Sequence, residues 1–278
     1  MVDTTESVPS VTSQPLANVL MTQSRPVPPT YEELVREAED APIEGWDFGW
    51  LEGRATEERP AWHYSEMLAE RLSTARSALD LQSGGGELLA KMPTIPPLLV
   101  ATEGYEPNIA MAARLLLPKG IHVVAVDDDQ PVLPFRDSVF DLVTSRHPIS
   151  TPWDEVARVL SKGGTFLSQQ VGPHTNRELR EWMVGLSPPG SLRDPSLARS
   201  SAETAGLMVK DLQEERLRTE FFDIGAVVYF LRLVVWTVPE FTVQNYDDRL
   251  RALHQKIELE GPFVTYSTRF LIEAAKSR

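Results

Sequence analysis

The most informative part of the sequence is the stretch Leu79-Asp80-Leu81-Gln82-Ser83-Gly84-Gly85-Gly86-Glu87. It begins as a short apolar run with one embedded acid and passes at once into three consecutive glycines. Glycines after a strand let the backbone approach a ligand, and the first N–H groups of the next helix are free to bind an anion or a polar group. The pattern therefore predicts a strand, a ligand-binding turn at Gly84–Gly86 and a helix.

Short apolar runs and stretches of helical periodicity alternate downstream of this turn. That alternation is typical of an α/β fold in which helices cover both faces of a doubly wound, mostly parallel sheet. Seven strands are predicted, at residues 78–81, 97–102, 122–126, 140–144, 164–169, 207–217 and 263–274. Helices are predicted at residues 30–40, 60–77, 108–117, 152–161, 176–184, 197–205, 225–236 and 246–260.

Composition divides the chain into five segments. We expect a disordered tail at 1–29, rich in Ser, Thr and Pro, and an N-terminal helical and aromatic cap at 30–77. The predicted ligand-binding domain covers 78–220 and regains its final strand at 263–278. The intervening 221–262 is predicted to be a helical insertion, and a connection of that length usually has a function.

Charge and composition restrict the function. A net charge of −13 disfavours a phosphate backbone as partner, so a small molecule is expected and no nucleic acid. The absence of cysteine excludes disulfides, thiolate nucleophiles and Cys-ligated metals. The N-terminus lacks a signal-peptide pattern, and the longest apolar run, 224–238, is shorter than a bilayer span and contains Arg232, so a cytoplasmic protein without membrane contact is expected. The five histidines lack metal-ligand spacing, which predicts a metal-independent site.

A carboxylate follows the predicted second strand. Glu103 lies 23 residues after Asp80, close to the ~20-residue interval at which an acid reaches the ribose hydroxyls of a nucleoside cofactor bound at the first turn. The acid run Asp127–Asp129 ends the third strand and could accept a hydrogen bond from an adenine amino group. Both features favour a nucleoside cofactor.

Three motifs in order resemble class I methyltransferases, particularly the type 11 methyltransferase family. The resemblance spans roughly residues 60–220 together with the last strand. The first motif is the stretch 79–86 quoted above. The second is Leu133-Pro134-Phe135-Arg136-Asp137-Ser138-Val139-Phe140-Asp141-Leu142-Val143, and the third is Glu155-Val156-Ala157-Arg158-Val159-Leu160-Ser161-Lys162-Gly163-Gly164.

The resemblance implies a Rossmann-like methyltransferase fold and S-adenosylmethionine as cofactor, with S-adenosylhomocysteine as product. It also implies that the first turn holds the methionine part of the cofactor, the acid after the second strand its ribose, and the end of the third strand its adenine. Residues just past the fourth strand would lie beside the reacting methyl group. Gln82 departs from the family, because it stands where the first glycine is usual. The cofactor-binding residues so predicted are Asp80, Gln82, Ser83, Gly84, Gly86, Glu103, Gly104, Asp128, Asp129, Gln130, Ser145 and Arg146.

Methyl transfer needs an aligned acceptor and, for a hydroxyl or amine, a base that removes a proton. The motif order makes His147 the first candidate base and His174, in the loop after the fifth strand, the second. His63, near the aromatic N-terminal segment, is the third.

The acceptor is expected to be a small molecule that is methylated on oxygen or nitrogen. Residues 220–239 are the most apolar of the chain, and in this family insertions near the last two strands commonly cover the acceptor, which favours an apolar or aromatic substrate. A packed helix or a dimer contact would explain the same apolarity, so the chain is expected to be a monomer or homodimer. The predicted acceptor contacts are Tyr64, Phe222, Tyr229 and Trp236. The alternatives are an RNA or protein methyltransferase and a cofactor-binding protein that transfers no methyl group.

Overall fold

A computed structural model describes residues 29–43, 48–127, 132–186 and 193–278. Within these ranges eight strands form one sheet in the order β1-β7-β8-β6-β5-β2-β3-β4. The strands are β1 (Ala55–Glu57), β2 (Ser77–Leu81), β3 (Leu98–Glu103), β4 (His122–Ala125), β5 (Phe140–Arg146), β6 (Leu160–Val171), β7 (Leu207–Phe221) and β8 (Phe263–Lys276). The predicted tail falls mostly outside the described residues.

The sheet is mostly parallel, as the sequence predicts. Strands β2 to β6 pair in parallel, and β8 lies antiparallel between β6 and β7. The predicted number of strands is wrong by one, because Ala55–Glu57 pairs with Phe221–Thr219 at the sheet edge. Three residues are too few to produce a readable alternation of apolar and polar positions, so only the pairing reveals this strand.

The helices lie close to their predicted positions. They are α1 (Tyr31–Asp40), α2 (Tyr64–Thr74), α3 (Glu87–Ala90), α4 (Glu106–Leu116), α5 (Trp153–Val159), α6 (Arg177–Val184), α7 (Pro195–Thr204), α8 (Ile224–Leu233) and α9 (Val243–Glu260). The helix predicted from residue 60 begins later, because His63 takes a left-handed backbone with φ of 48° and its carbonyl accepts the amides of Glu66 and Met67. The helix that the glycine turn opens has only four residues.

Helices cover both faces of the sheet. Buried leucines of α2, α3 and α4 pack on one face, against residues such as Leu99 and Leu271. Val156 of α5 and Ala198 of α7 pack on the other face with Phe166. The carboxyl ends of the parallel strands stay clear of both helical layers at one edge of the sheet.

A third core lies where β7 and β8 run on beyond the rest of the sheet. The end of β6, Val171, pairs with Arg269, so the first six residues of β8 extend past β6 on the side of the carboxyl edge. Helices α1, α6, α8 and α9 pack around this extension, and we call these four helices the helical cap. The segment predicted as an insertion, 221–262, contains α8 and α9, which pack together with the N-terminal α1 rather than as a separate flap. No helix in the described ranges has both the length and the apolarity needed to cross a membrane.

Candidate functional site

The candidate site lies at the carboxyl ends of β2, β3, β5 and β6. In open α/β sheets ligands bind at this edge, at the point where the strand order reverses. Here the order reverses at β2, since the chain goes from β2 outward to β3 and β4 and then returns to β5 on the other side of β2. The turn after β2 and the loop after β5 therefore face each other across a crevice.

The glycine turn after β2 and the acid after β3 are in direct contact. The amide of Gly84 donates to Oε2 of Glu103 at 2.7 Å, and the amide of Tyr105 donates to Oε1 at 3.0 Å. Gly84 and Gly86 have φ values of 60° and 85°, which glycine adopts without the strain that a side chain adds. A Cβ built on Gly84 would meet no atom within 4 Å, so open space adjoins the turn. The structure thus brings these predicted residues together, with Gly104 between the two contacts.

Asp80 ends β2 as a buried carboxylic acid. The hydroxyl of Ser83 donates to its Oδ2 and that of Thr144 to its Oδ1, each at 2.6 Å. The pKa of Asp80 is raised to about 6, because burial and, to a smaller extent, the charge of Glu103 outweigh the lowering effect of the two hydroxyl donors. The group is poised to ionise near neutral pH when a cation approaches. The sequence analysis missed Thr144, although its position in β5 opposite Asp80 follows once the strands are paired.

Gln82 ties the glycine turn to the loop after β5. Its Oε1 accepts the amide of Ile149 at 2.6 Å, and its Nε2 donates to the carbonyl of Ser150 at 2.8 Å. Its φ of 54° is the left-handed conformation that explains why a glycine is usual there. The side chain therefore spans the crevice beside Asp80, and we call this bridge the Gln82 clasp.

His147 follows β5 in a network that fixes its protonation. The indole N–H of Trp62 donates to Oε1 of Gln169 at 2.8 Å, so the amide nitrogen of Gln169 faces Nε2 of His147 at 2.9 Å. An amide nitrogen only donates, and therefore Nε2 is the acceptor and Nδ1 carries the proton of the neutral ring. Burial holds the pKa of His147 well below its ordinary range, and the charges of Arg269, Arg146 and Arg193 lower it further.

This network bears on the first predicted base, His147. The lone pair of His147 is already engaged by Gln169, so the ring takes no proton while that contact lasts. His174 is exposed in the loop between β6 and α6, and its charge acts on the nearby Asp194. His63, the third predicted base, is exposed as well, whereas His147 is partly buried. Sequence reasoning missed Trp62 and Gln169 because their contact joins residues 107 positions apart.

The other predicted residues near β5 differ in exposure. The hydroxyls of Ser145 and Ser168 lie 2.8 Å apart within the sheet, and Ser145 is buried, so its side chain faces β6 rather than the crevice. Arg146, the last residue of β5, is exposed. The predicted adenine contacts Asp128, Asp129 and Gln130 lie outside the described residues.

Two predicted acceptor contacts are packed within the protein. Tyr64 is buried, and its hydroxyl donates to the carbonyl of Ser145 at 2.9 Å beneath the site. Tyr229 is 2% exposed in the helical cap, where its ring stacks on Trp50 and its hydroxyl donates to the carbonyl of Pro42 at 3.2 Å. Packing therefore explains why both tyrosines are where they are. Either side chain would have to leave its packed position to contact an acceptor.

The remaining two predicted acceptor contacts are accessible. Phe222 is 37% exposed and Trp236 is 52% exposed, at the two ends of α8. The carbonyls of Trp236 and Thr237 accept from Nη1 of Arg180 on α6.

The residues at the crevice fit S-adenosylmethionine in their chemistry. The Glu103 carboxylate retains lone pairs for a ribose diol, open space adjoins Gly84, and Asp80 offers a carboxylate to a cationic group. The Gln82 clasp does not contribute to this fit. A ligand that binds beside Asp80 would have to displace the clasp or accommodate it.

Comparisons with known proteins identify a methyltransferase domain and a methyltransferase fold. Residues 79–168 match the family described as "Methyltransferase domain". A solved structure of a candidate methyltransferase from Bacillus halodurans has 19% identity and a TM-score of 0.54, and the match covers 77% of this chain and 99% of that one. The YcgJ protein from Bacillus subtilis has 16% identity and a TM-score of 0.55, over 78% of this chain and 99% of that one. No curated protein matches the chain.

The sheet has the Rossmann-like fold of methyltransferases, and residues 79–168 match a methyltransferase domain that uses S-adenosylmethionine. The matched range includes the glycine turn, Glu103 and the whole of β5.

Proposed function

We propose that this protein transfers a methyl group from S-adenosylmethionine to an oxygen or nitrogen of a small molecule. The observation that carries the proposal is the contact of the Gly84 amide with the Glu103 carboxylate at the carboxyl edge. The chain as a whole is strongly acidic. An acidic protein repels nucleic acid, which favours a small acceptor over RNA. The helical cap beside this edge supports the same proposal, since it gives the crevice a wall on the β8 side.

Each residue of the proposed site has a separate task. Glu103 would hold the ribose of the cofactor, and Asp80 with the Gly84–Gly86 turn its methionine part. The cofactor supplies an activated methyl group, and the protein has to align the acceptor with it. His174 would accept the proton that a hydroxyl or amine acceptor loses, because its ring is exposed at the edge while that of His147 is engaged.

Loss of the Glu103 carboxylate is the first test. We expect Glu103→Ala to weaken binding of S-adenosylmethionine by at least about 10-fold, because hydrogen bonds to a charged group contribute roughly 1.5–3 kcal/mol. Calorimetric titration with S-adenosylmethionine and S-adenosylhomocysteine measures this. Glu106→Ala, an exposed acid three residues on, is the matched control, and we expect it to change affinity by no more than about 2-fold.

Product analysis then separates the candidate functions. Incubation with a radiolabelled methyl donor and a panel of apolar, anionic and neutral small molecules should give a labelled product and S-adenosylhomocysteine. Label that appears only in added RNA or protein would overturn the small-molecule proposal. Wild-type protein that binds neither cofactor form would overturn the site itself.

One observation favours a second candidate function. The Gln82 clasp crosses the crevice beside Asp80, so the chain could bind the cofactor in an altered position and transfer no methyl group. Tight binding of S-adenosylmethionine without any turnover across the panel would support this alternative.

A further inference from the structure

Three arginines gather at the carboxyl edge, on the β8 side of the glycine turn. Arg146 ends β5, and Arg269 lies in β8 opposite the last residue of β6. Arg193 stands just before α7. None of the three is accounted for by the contacts that the cofactor requires of Asp80, Gly84 and Glu103.

Strand register places two of these side chains on one face of the sheet. Arg146 pairs with Gln169, Gln169 pairs with Leu271, and Arg269 is two residues before Leu271. Paired residues share a face and alternate residues of a strand return to it, so Arg146, Gln169 and Arg269 all project from the same face. Gln169 lies between the two arginines in this register, and it contacts His147.

Arg193 contributes a third positive charge, which acts on Arg269 of this pair. The charges of Arg146 and Arg193 act on both His147 and Arg269. Burial lowers the pKa of the Arg193 guanidinium, and the same cause lowers that of Arg269. Three partly desolvated or closely spaced cations repel one another, and an anion among them would relieve that repulsion.

The acids of the chain leave most of this charge uncompensated. Arg269 pairs with Glu57 at 2.7 Å, and its other contacts are the Thr268 carbonyl and the Thr175 hydroxyl. Within the described ranges neither Arg146 nor Arg193 forms an ion pair. A local excess of positive charge in a chain of net charge −13 points to an anionic ligand.

We propose that Arg146, Arg193 and Arg269 bind an anionic group of the methyl acceptor, a carboxylate or a phosphate, at the carboxyl edge beside His147. The guanidinium fork matches both groups in bidentate geometry. This inference rests on the proposed function and names its substrate class. Under this proposal the negative charge of the acceptor, rather than contact with an apolar pocket, is the principal source of specificity. Two of the residues predicted to line such a pocket, Tyr64 and Tyr229, are packed inside the protein.

The test uses full-length protein saturated with S-adenosylhomocysteine, so that the carboxylate of the cofactor is not the anion measured. Inorganic phosphate and benzoate are titrated separately, and the arm that binds identifies the preferred anion. We expect Arg146→Ala and Arg193→Ala each to weaken that binding by at least about 10-fold, as charged hydrogen bonds contribute roughly 1.5–3 kcal/mol. Arg199→Ala, which removes the same charge from the surface of α7, should leave it unchanged within about 2-fold.

Folding and cofactor binding are read out in the same samples. Both variants should keep the wild-type melting temperature, and Arg193→Ala should also keep the affinity for S-adenosylhomocysteine, which separates loss of the anion site from loss of the fold. If neither anion binds the saturated wild type, or if binding is insensitive to both variants, the inference is overturned while the proposed function stands. Anion binding that disappears when S-adenosylhomocysteine is present would instead assign the arginines to the cofactor and overturn it too. Failure of the wild type to bind S-adenosylhomocysteine at all would overturn the proposed function.

Discussion

Gln82 stands in the glycine turn where the methyltransferases that this motif resembles usually have a glycine. It keeps the left-handed backbone that glycine makes easy, and a side chain in that conformation costs roughly 1–2 kcal/mol. Its amide makes two hydrogen bonds to the loop after β5, which offset part of that cost. The turn thus retains the shape of the motif while its first position gains a side chain that spans the crevice.

Removal of the Gln82 side chain should strengthen cofactor binding. Opening the clasp costs two hydrogen bonds, each contributing about 0.5–1.5 kcal/mol, so we expect Gln82→Gly to bind S-adenosylmethionine on the order of 10-fold more tightly. Calorimetric titration measures the effect. Gln82→Ala, which loses the amide but keeps a Cβ, should lie between wild type and Gln82→Gly. Weaker binding by the glycine variant would mean that Gln82 itself holds the cofactor.

Among the single elements, helix α8 is apolar enough to suggest a ligand pocket, but its apolar side chains serve packing. All but two of its ten residues are buried, and a helix that is apolar all round is a buried helix. Its N-cap Asp223 accepts the amide of Ala226 and pairs with Arg54, which anchors the helix start to the segment before β1. Tyr229, at the middle of the helix, joins it to Trp50 and Pro42.

Substitution of Tyr229 separates packing from substrate contact. We expect Tyr229→Ala to lower the free energy of unfolding by about 3–5 kcal/mol, the usual cost of truncating a buried aromatic, and to leave the affinity for S-adenosylmethionine unchanged. Tyr229→Phe, the control, loses only the hydrogen bond to Pro42 and should cost about 1 kcal/mol. Urea unfolding measures both. A stable Tyr229→Ala protein with a raised KM for its acceptor would restore the predicted substrate role.

At the scale of the whole molecule, β7 and β8 belong to two cores at once. One end of each strand pairs in the sheet beside β6, and the other end supports the helical cap. The amino-terminal α1 packs against α8, nearly two hundred residues later. Cap and sheet therefore share continuous backbone and neither is an appended unit.

Unfolding should accordingly be cooperative across both cores. We expect tryptophan fluorescence and far-UV circular dichroism to give coincident thermal transitions, because loss of the cap exposes the strands that complete the sheet. Trp50 and Trp182 report on the cap, and Trp62 and Trp153 on the sheet. Tyr229→Ala should shift both transitions by the same amount. Two separated transitions, with only the first moved by that variant, would show an independently folding cap.

Local patterns in the sequence predict the α/β class, the position of nearly every strand, the glycine turn and the resemblance to methyltransferases. Periodicity, turn glycines and the order of motifs can all be read within a few residues or along the chain. The direct contact of Gly84 with Glu103, the strand Ala55–Glu57, the packing of Tyr229, the contact of Gln169 with His147, and the common face of Arg146 and Arg269 emerge only from the folded structure. Each of these features depends on contacts between segments that are far apart in the chain. Such contacts produce no periodic pattern in the sequence, so sequence analysis does not detect them.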